Sequence, residues 1–149
     1  MDKKDFWLLI KKAMIAGIPY ITKELKLYGI SYARQFQEIL AELLYKLDTQ
    51  AIAESIYERE IDYDEEMFLY ARVGIIMLGE MFYNGVIFKG RVENVFKIIE
   101  QEELLYAAHE ACPSLENYKT KFCYETYSNK NGWKSQKSYS ENLVESLTA

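Results

Sequence analysis

The stretch from Met67 to Phe88 constrains this chain more than any other part of it. Phe68, Ala71, Ile75, Leu78, Gly79 and Phe82 recur at helical spacing on one face, while Tyr70, Val73, Ile76, Met77 and Met81 make the rest apolar too. A helix that is apolar nearly all round needs cover on every side, so it belongs in the middle of a bundle. A membrane span does not fit, because Arg72, Glu80 and Asn84 interrupt the stretch. An Arg and a Glu at mid-span would cost several kcal/mol in lipid. The spacing predicts one long central helix over residues 64–83.

Helical periodicity continues on both sides, with only two prolines and seven glycines to punctuate it. A first helix is expected over residues 3–16, with Phe6, Leu9, Ile10 and Ala13 on one face. Gly17-Ile18-Pro19 interrupts it, because the residue before a proline avoids the helical region. A short turn or helix over residues 20–28 follows. Ser31 is a suitable N-cap for the next helix, whose stripe is Phe36, Leu40, Leu43, Leu44 and Leu47. Asp48-Thr49 reads as a break and a fresh cap for a helix over 50–59. Asp62 followed by Glu65 resembles a capping box ahead of the central helix. Asn84-Gly85 marks a turn after it, a hairpin of 81–83 with 86–88 being the weaker alternative. Short helices are expected over 92–99, over 102–112 before Pro113, and from Ser114 through Tyr118 and Phe122, with Tyr127 as its furthest limit.

From Ser128 the composition becomes polar and turn-rich. Only Trp133, Tyr139, Leu143, Val144 and Leu147 could anchor that tail, either through a short helix over 140–147 or not at all. There is no internal repeat. The expected fold is therefore all-α: a single-domain bundle of about six helices spanning residues 1–127, with a polar C-terminal tail over 128–149.

A chain of 149 residues buries about 70% of its unfolded surface in one domain, so neither a metal nor a disulfide is needed to hold it. Cys112 and Cys123 form no Cys-x-x-Cys pair and are too few for a disulfide scaffold. They read as reduced thiols of a cytoplasmic protein, a disulfide between them being the alternative if the chain turns back. The charged start, Met1-Asp2-Lys3-Lys4-Asp5, lacks the apolar core of a signal peptide. The net charge of −5 repels phosphate backbones, which argues against nucleic acid and suits a basic protein partner, or plain solubility. Tyrosine is abundant, with 13 residues; its rings suit both boundary packing and binding surfaces.

Three groups of residues could carry function. The acidic run Glu58, Glu60, Asp62, Asp64, Glu65 and Glu66 could dock a cationic partner, or could simply be a solvated helix start. Arg72 and Glu80 sit on a mostly apolar helix and are expected to pair across the bundle, or to line a small-ligand pocket together with His109. Glu102, Tyr106, His109 and Cys112 could share one helical face. One histidine and two cysteines cannot complete a zinc or di-iron site by the usual spacing. Phosphate-binding and nucleophile motifs are absent. No catalytic residue, metal or cofactor is expected.

Phe6-Trp7-Leu8-Leu9-Ile10 and Phe68-Leu69-Tyr70-Ala71-Arg72, continued by Ile75-Ile76 and Gly79, resemble a family of small bacterial proteins of unknown function. Its members begin with a Phe-Trp-x-x-Ile helix and carry a central Phe-x-Tyr-x-Arg-x-x-Leu-Ile-x-x-Gly helix. The Leu47-Asp48-Thr49 break fits as well, and the likeness covers roughly residues 5–110. Gly74 stands where the family often has Trp, and the stretch before the central helix is shorter. The resemblance implies a helical fold and supplies no activity.

These observations favour a protein–protein interaction protein, of the kind that caps a basic toxin or nuclease as an inhibitor or immunity protein. A small-ligand-binding domain or enzyme around Arg72 and Glu80 is the second class. A structural subunit, with the chain forming a homo-oligomer, is the third.

Overall fold

The computed structural model describes residues 1–57 and 62–133. Among them are seven α-helices and no strand: α1 (Lys3–Ala16), α2 (Ile18–Tyr28), α3 (Ile30–Leu47), α4 (Gln50–Ile56), α5 (Glu65–Met77), α6 (Glu80–Lys89) and α7 (Ala107–Ala111). The all-α architecture expected from periodicity is the one observed.

Local chemistry sets the early boundaries. Asp2 caps α1 by accepting the Asp5 N–H at 2.8 Å, and Asp5 returns the contact to the Asp2 N–H at 3.1 Å. Pro19 lies in the first turn of α2, where its missing N–H costs nothing. Thr49 caps α4 through the Ile52 N–H. The cap of α5 is Asp64, which accepts the Met67 N–H at 2.7 Å, in place of the expected Asp62. Helix α3 begins at Ile30, directly after Gly29, ahead of the expected Ser31 cap.

The one long central helix is in fact two. The chain turns at Gly79, whose φ of 99° lies in the left-handed region that side-chain-bearing residues avoid. Helix α6 then runs through Asn84-Gly85, which is helical and forms neither the expected turn nor a hairpin. Two further expectations fail for a shared reason. Residues 92–99 yield only a short 3-10 turn, Val95–Lys97, and beyond the turn Pro113–Leu115 no helix extends to Tyr127. In both segments only some apolar residues reach the core: Val92 and Leu115 are buried and Val95, Ile98, Tyr118 and Tyr124 pack against it, whereas Phe96 and Ile99 stay exposed, so neither segment has the continuous buried stripe that a helix there would need.

The core is continuous. Phe6, Ile10, Ile21, Leu25, Phe36, Leu44, Leu47, Phe68, Ile75 and Ile76 are fully buried. Each such side chain contributes about 1.5–3 kcal/mol relative to an exposed one. Helix α2 packs on α1, α3 and α7, and α3 packs on α5. Every residue of α5 from Ala71 to Ile76 is buried, so this helix is covered all round as its sequence requires. Part of the cover is the strap of residues 98–101. It crosses α5 at Gly74, where an added β-carbon would stand 2.3 Å from the Ile99 carbonyl oxygen. The Gln101 N–H donates to the Tyr70 carbonyl at 3.1 Å and pins the strap there.

Residues 124–133 pack against the body, with Trp133 buried against Phe68 and Tyr127. Residues 134–149, and with them the expected terminal helix and its anchors from Tyr139 on, lie outside the described residues. No described helix is long and apolar enough to cross a membrane.

Candidate functional site

Among the described residues, two polar constellations bear on the expected sites. One is buried and holds the chain together. The other is exposed.

The buried one joins Asp48 and Arg72, both with no solvent exposure. Asp48 ends α3, where an acid opposes the negative end of the helix and needs donors of its own. It finds them in the C-terminal segment. Its carboxylate accepts the Tyr127 N–H at 3.2 Å, the Asn129 N–H at 3.0 Å and the Trp133 indole N–H at 3.0 Å. Tyr127 takes a φ of 75° in this clamp, a strained value for a tyrosine. Arg72 donates to the carbonyls of Leu44 (3.0 Å) and Tyr124 (2.9 Å) and to the Thr126 hydroxyl (2.9 Å), and stacks over Phe68. Burial pushes its guanidinium down to about 10, with Asp48 opposing that shift, so it remains a cation at neutral pH.

This corrects the expected roles of Arg72 and Glu80. Neither forms an ion pair among the described residues. Arg72 spends its terminal nitrogens on backbone carbonyls and a hydroxyl inside the core, whereas Glu80 is exposed in the first turn of α6. His109 is half-buried in α7 against the Tyr106 ring. Among the described residues Glu80 lines a surface hollow with Lys4 and Lys11, and neither Arg72 nor His109 borders that hollow. Glu102, Tyr106, His109 and Cys112 do not share one helix either, because a 3-10 turn, Glu103–Tyr106, precedes the short α7. No group of three or more described His, Cys, Asp or Glu residues is placed to hold a metal. Cys112 and Cys123 are free thiols.

The exposed constellation is an acid–tyrosine face over the start of α5. Asp62, Asp64, Glu65 and Glu66 are exposed there, and Glu58 and Glu60 lie outside the described residues. The strap adds Glu100 and, just past its end, Glu102, which nothing local in the sequence groups with them. The Tyr70 hydroxyl donates to Glu66 at 2.9 Å, and the Tyr106 hydroxyl donates to Glu102 at 2.7 Å. These bonds raise both phenols above their ordinary value, and each phenol feels the other's neighbourhood. Tyr57 stacks on Tyr63 at 4.5 Å, and its phenol is raised by burial and by the charges of Glu100 and Asp64. Three half-buried tyrosines, Tyr63, Tyr70 and Tyr106, and six carboxylates thus lie around this face, with Tyr57 buried beneath Tyr63. None of those carboxylates takes part in an ion pair among the described residues.

Sequence reasoning missed the roles of Asp48 and Thr126, while Trp133, named as a possible anchor of the tail, is buried. The available signal for Asp48 was an acid at a helix C-terminus, where it needs donors from elsewhere in the chain.

No curated protein and no solved structure matches the chain. A family model described as "Protein of unknown function (DUF4240)" matches residues 1–114, which takes in all seven helices and stops short of the segment that Asp48 and Arg72 hold. The likeness of the first and central helices to a family of unknown function thus reflects true membership: the chain belongs to the DUF4240 family.

Proposed function

We propose that this is an interaction protein that binds a cationic protein partner through the acid–tyrosine face, acting in the cytoplasm in the manner of an inhibitor or immunity protein for a basic toxin or nuclease. The observation that carries the reading is the set of carboxylates, none of them ion-paired among the described residues, that lie beside tyrosine rings over the start of α5. Lysine and arginine side chains are attracted both to carboxylates and to the faces of aromatic rings. Tyrosine offers that contact at low cost in side-chain entropy. A net charge of −5 speeds the approach of a basic partner and makes the association sensitive to salt. Two free thiols suit a reducing compartment.

The test is affinity capture from the native source with two baits. One is the wild-type chain. The other carries Asp62→Lys, Glu65→Lys and Glu66→Lys but retains the Asp64 cap, with its helical circular dichroism checked first. A stoichiometric basic partner, weakened by added salt and lost with the variant, is the expected result. A partner that both baits retain equally, or none with either, would defeat the reading.

A further inference from the structure

A second surface lies along α1 and the elbow between α5 and α6. Lys4, Leu8, Lys11 and Ile15 follow one another at intervals of three and four residues on α1, forming one stripe. Ile15 is 91% exposed, and about half of Leu8 and of Met14 is in water. Helix α6 sets Met81 and Phe88 two turns apart, each 90% exposed. Between the two helices is a hollow of about 480 Å³, walled by Trp7, Leu8, Met14 and Leu78. Its rim carries Lys4 and Lys11 on one side and Glu80 on the other. None of the three charges is ion-paired among the described residues, although Lys3 on the same helix is paired with Glu42. A contiguous exposed apolar surface of this kind marks a contact site.

We propose that this surface joins two copies of the chain, related by a two-fold axis passing beside Met81. Charge decides the occupant. A purely cationic partner would meet Lys4 and Lys11, and a purely acidic one would meet Glu80. A two-fold contact sets the patch against itself, so the lysines of one copy face Glu80 of the other. Met81 of each copy then reaches into the hollow of its mate, where a flexible thioether fits an irregular wall. The patch is small. Helix α1 is about 21 Å long and α6 about 15 Å, which gives less than the ~800 Å² per partner of a standard interface. The dimer is therefore weak and depends on concentration. This surface is distinct from the acid–tyrosine face and does not rest on it.

Sedimentation velocity of the full chain, from low to high micromolar concentration, tests the proposal. The wild type is expected to rise from 17.5 kDa toward twice that mass. Met81→Asp, at an exposed position that leaves the core intact, is expected to stay monomeric throughout. So is Glu80→Lys alone, and so is Lys4→Glu/Lys11→Glu alone. Mixing those last two variants is expected to restore a heterodimer, because each then presents the charge that the other lacks. Circular dichroism establishes that every variant is folded. A wild type that stays monomeric, a Met81→Asp variant that still dimerises, or a mixture that fails to associate would each overturn the proposal.

Discussion

Gly74 and Gly85 lie inside successive helices, and the same substitution at each is expected to move stability in opposite directions. Helix propensity alone favours alanine over glycine by about 1 kcal/mol at both sites. At Gly85 no atom comes within 4 Å of the added β-carbon and the backbone is ordinary helix, so Gly85→Ala keeps that gain and stabilises by about 0.5–1 kcal/mol. At Gly74 the β-carbon would meet the Ile99 carbonyl oxygen at 2.3 Å and its carbon at 3.1 Å. The strap must then retreat from α5 by about 1 Å, at the ~1–3 kcal/mol typical of an overpacked core. Retreat also breaks the bond from the Gln101 N–H to the Tyr70 carbonyl, a further loss of about 1 kcal/mol. Set against the propensity gain, Gly74→Ala is expected to destabilise by about 1–3 kcal/mol. Urea unfolding followed by circular dichroism, with both variants at the same low protein concentration, reads this directly. A companion thermal melt should shift by about 2–4 °C per kcal/mol. A Gly74→Ala protein as stable as wild type would mean that the strap does not bear on α5, and the grouping of Glu100 and Glu102 with the acids of α5 would fall with it.

Two further outcomes follow from the polar constellations. Asp48→Ala leaves the half-buried N–H groups of Tyr127 and Asn129 without their acceptor and the Trp133 indole N–H with only the backbone carbonyl of residue 48, and is expected to cost about 2–4 kcal/mol. Tryptophan fluorescence should shift to the red before the helical signal is lost; a simultaneous loss would mean that the C-terminal segment is not a separate clamp. At alkaline pH the protein is expected to lose stability as pH climbs above about 10. Tyr57, Tyr70 and Tyr83 all have folded values raised above the ordinary 10.0, so their contribution is complete below that value and disappears as pH rises through the folded values. Tyr83 shows the cause most plainly, since it is buried with its hydroxyl donating to the Leu43 carbonyl at 2.8 Å. Arg72 acts in the opposite sense above about 10, because its folded value is lowered from the ordinary one, but it is one group against several phenols. Tyrosinate absorbance recorded beside circular dichroism checks this. Full ionisation of the phenols with the helices intact would contradict it.

Periodicity and caps are local, and what they govern was legible in the chain itself. The all-α class, the limits of α1, the Thr49 cap of α4 and the burial of α5 on every side all follow from side-chain spacing within a few residues. The acids at the start of α5 were equally visible as one half of the exposed face. What the sequence left open depends on residues far apart along the chain. The break at Gly79 uses a residue that periodicity counted as helical. The strap of residues 98–101 is extended because α5 offers it a bare backbone at Gly74, and it is this crossing that brings Glu100 and Glu102 to the acids of α5. Arg72 was expected to find a carboxylate. The fold gives it instead two backbone carbonyls and a hydroxyl, from residues 28 to 54 positions away. Asp48 looked like a helix stop, yet it secures a tryptophan 85 residues later. A buried charge must be satisfied by whatever donors or acceptors the packed chain brings to it, and only the tertiary structure decides which those are.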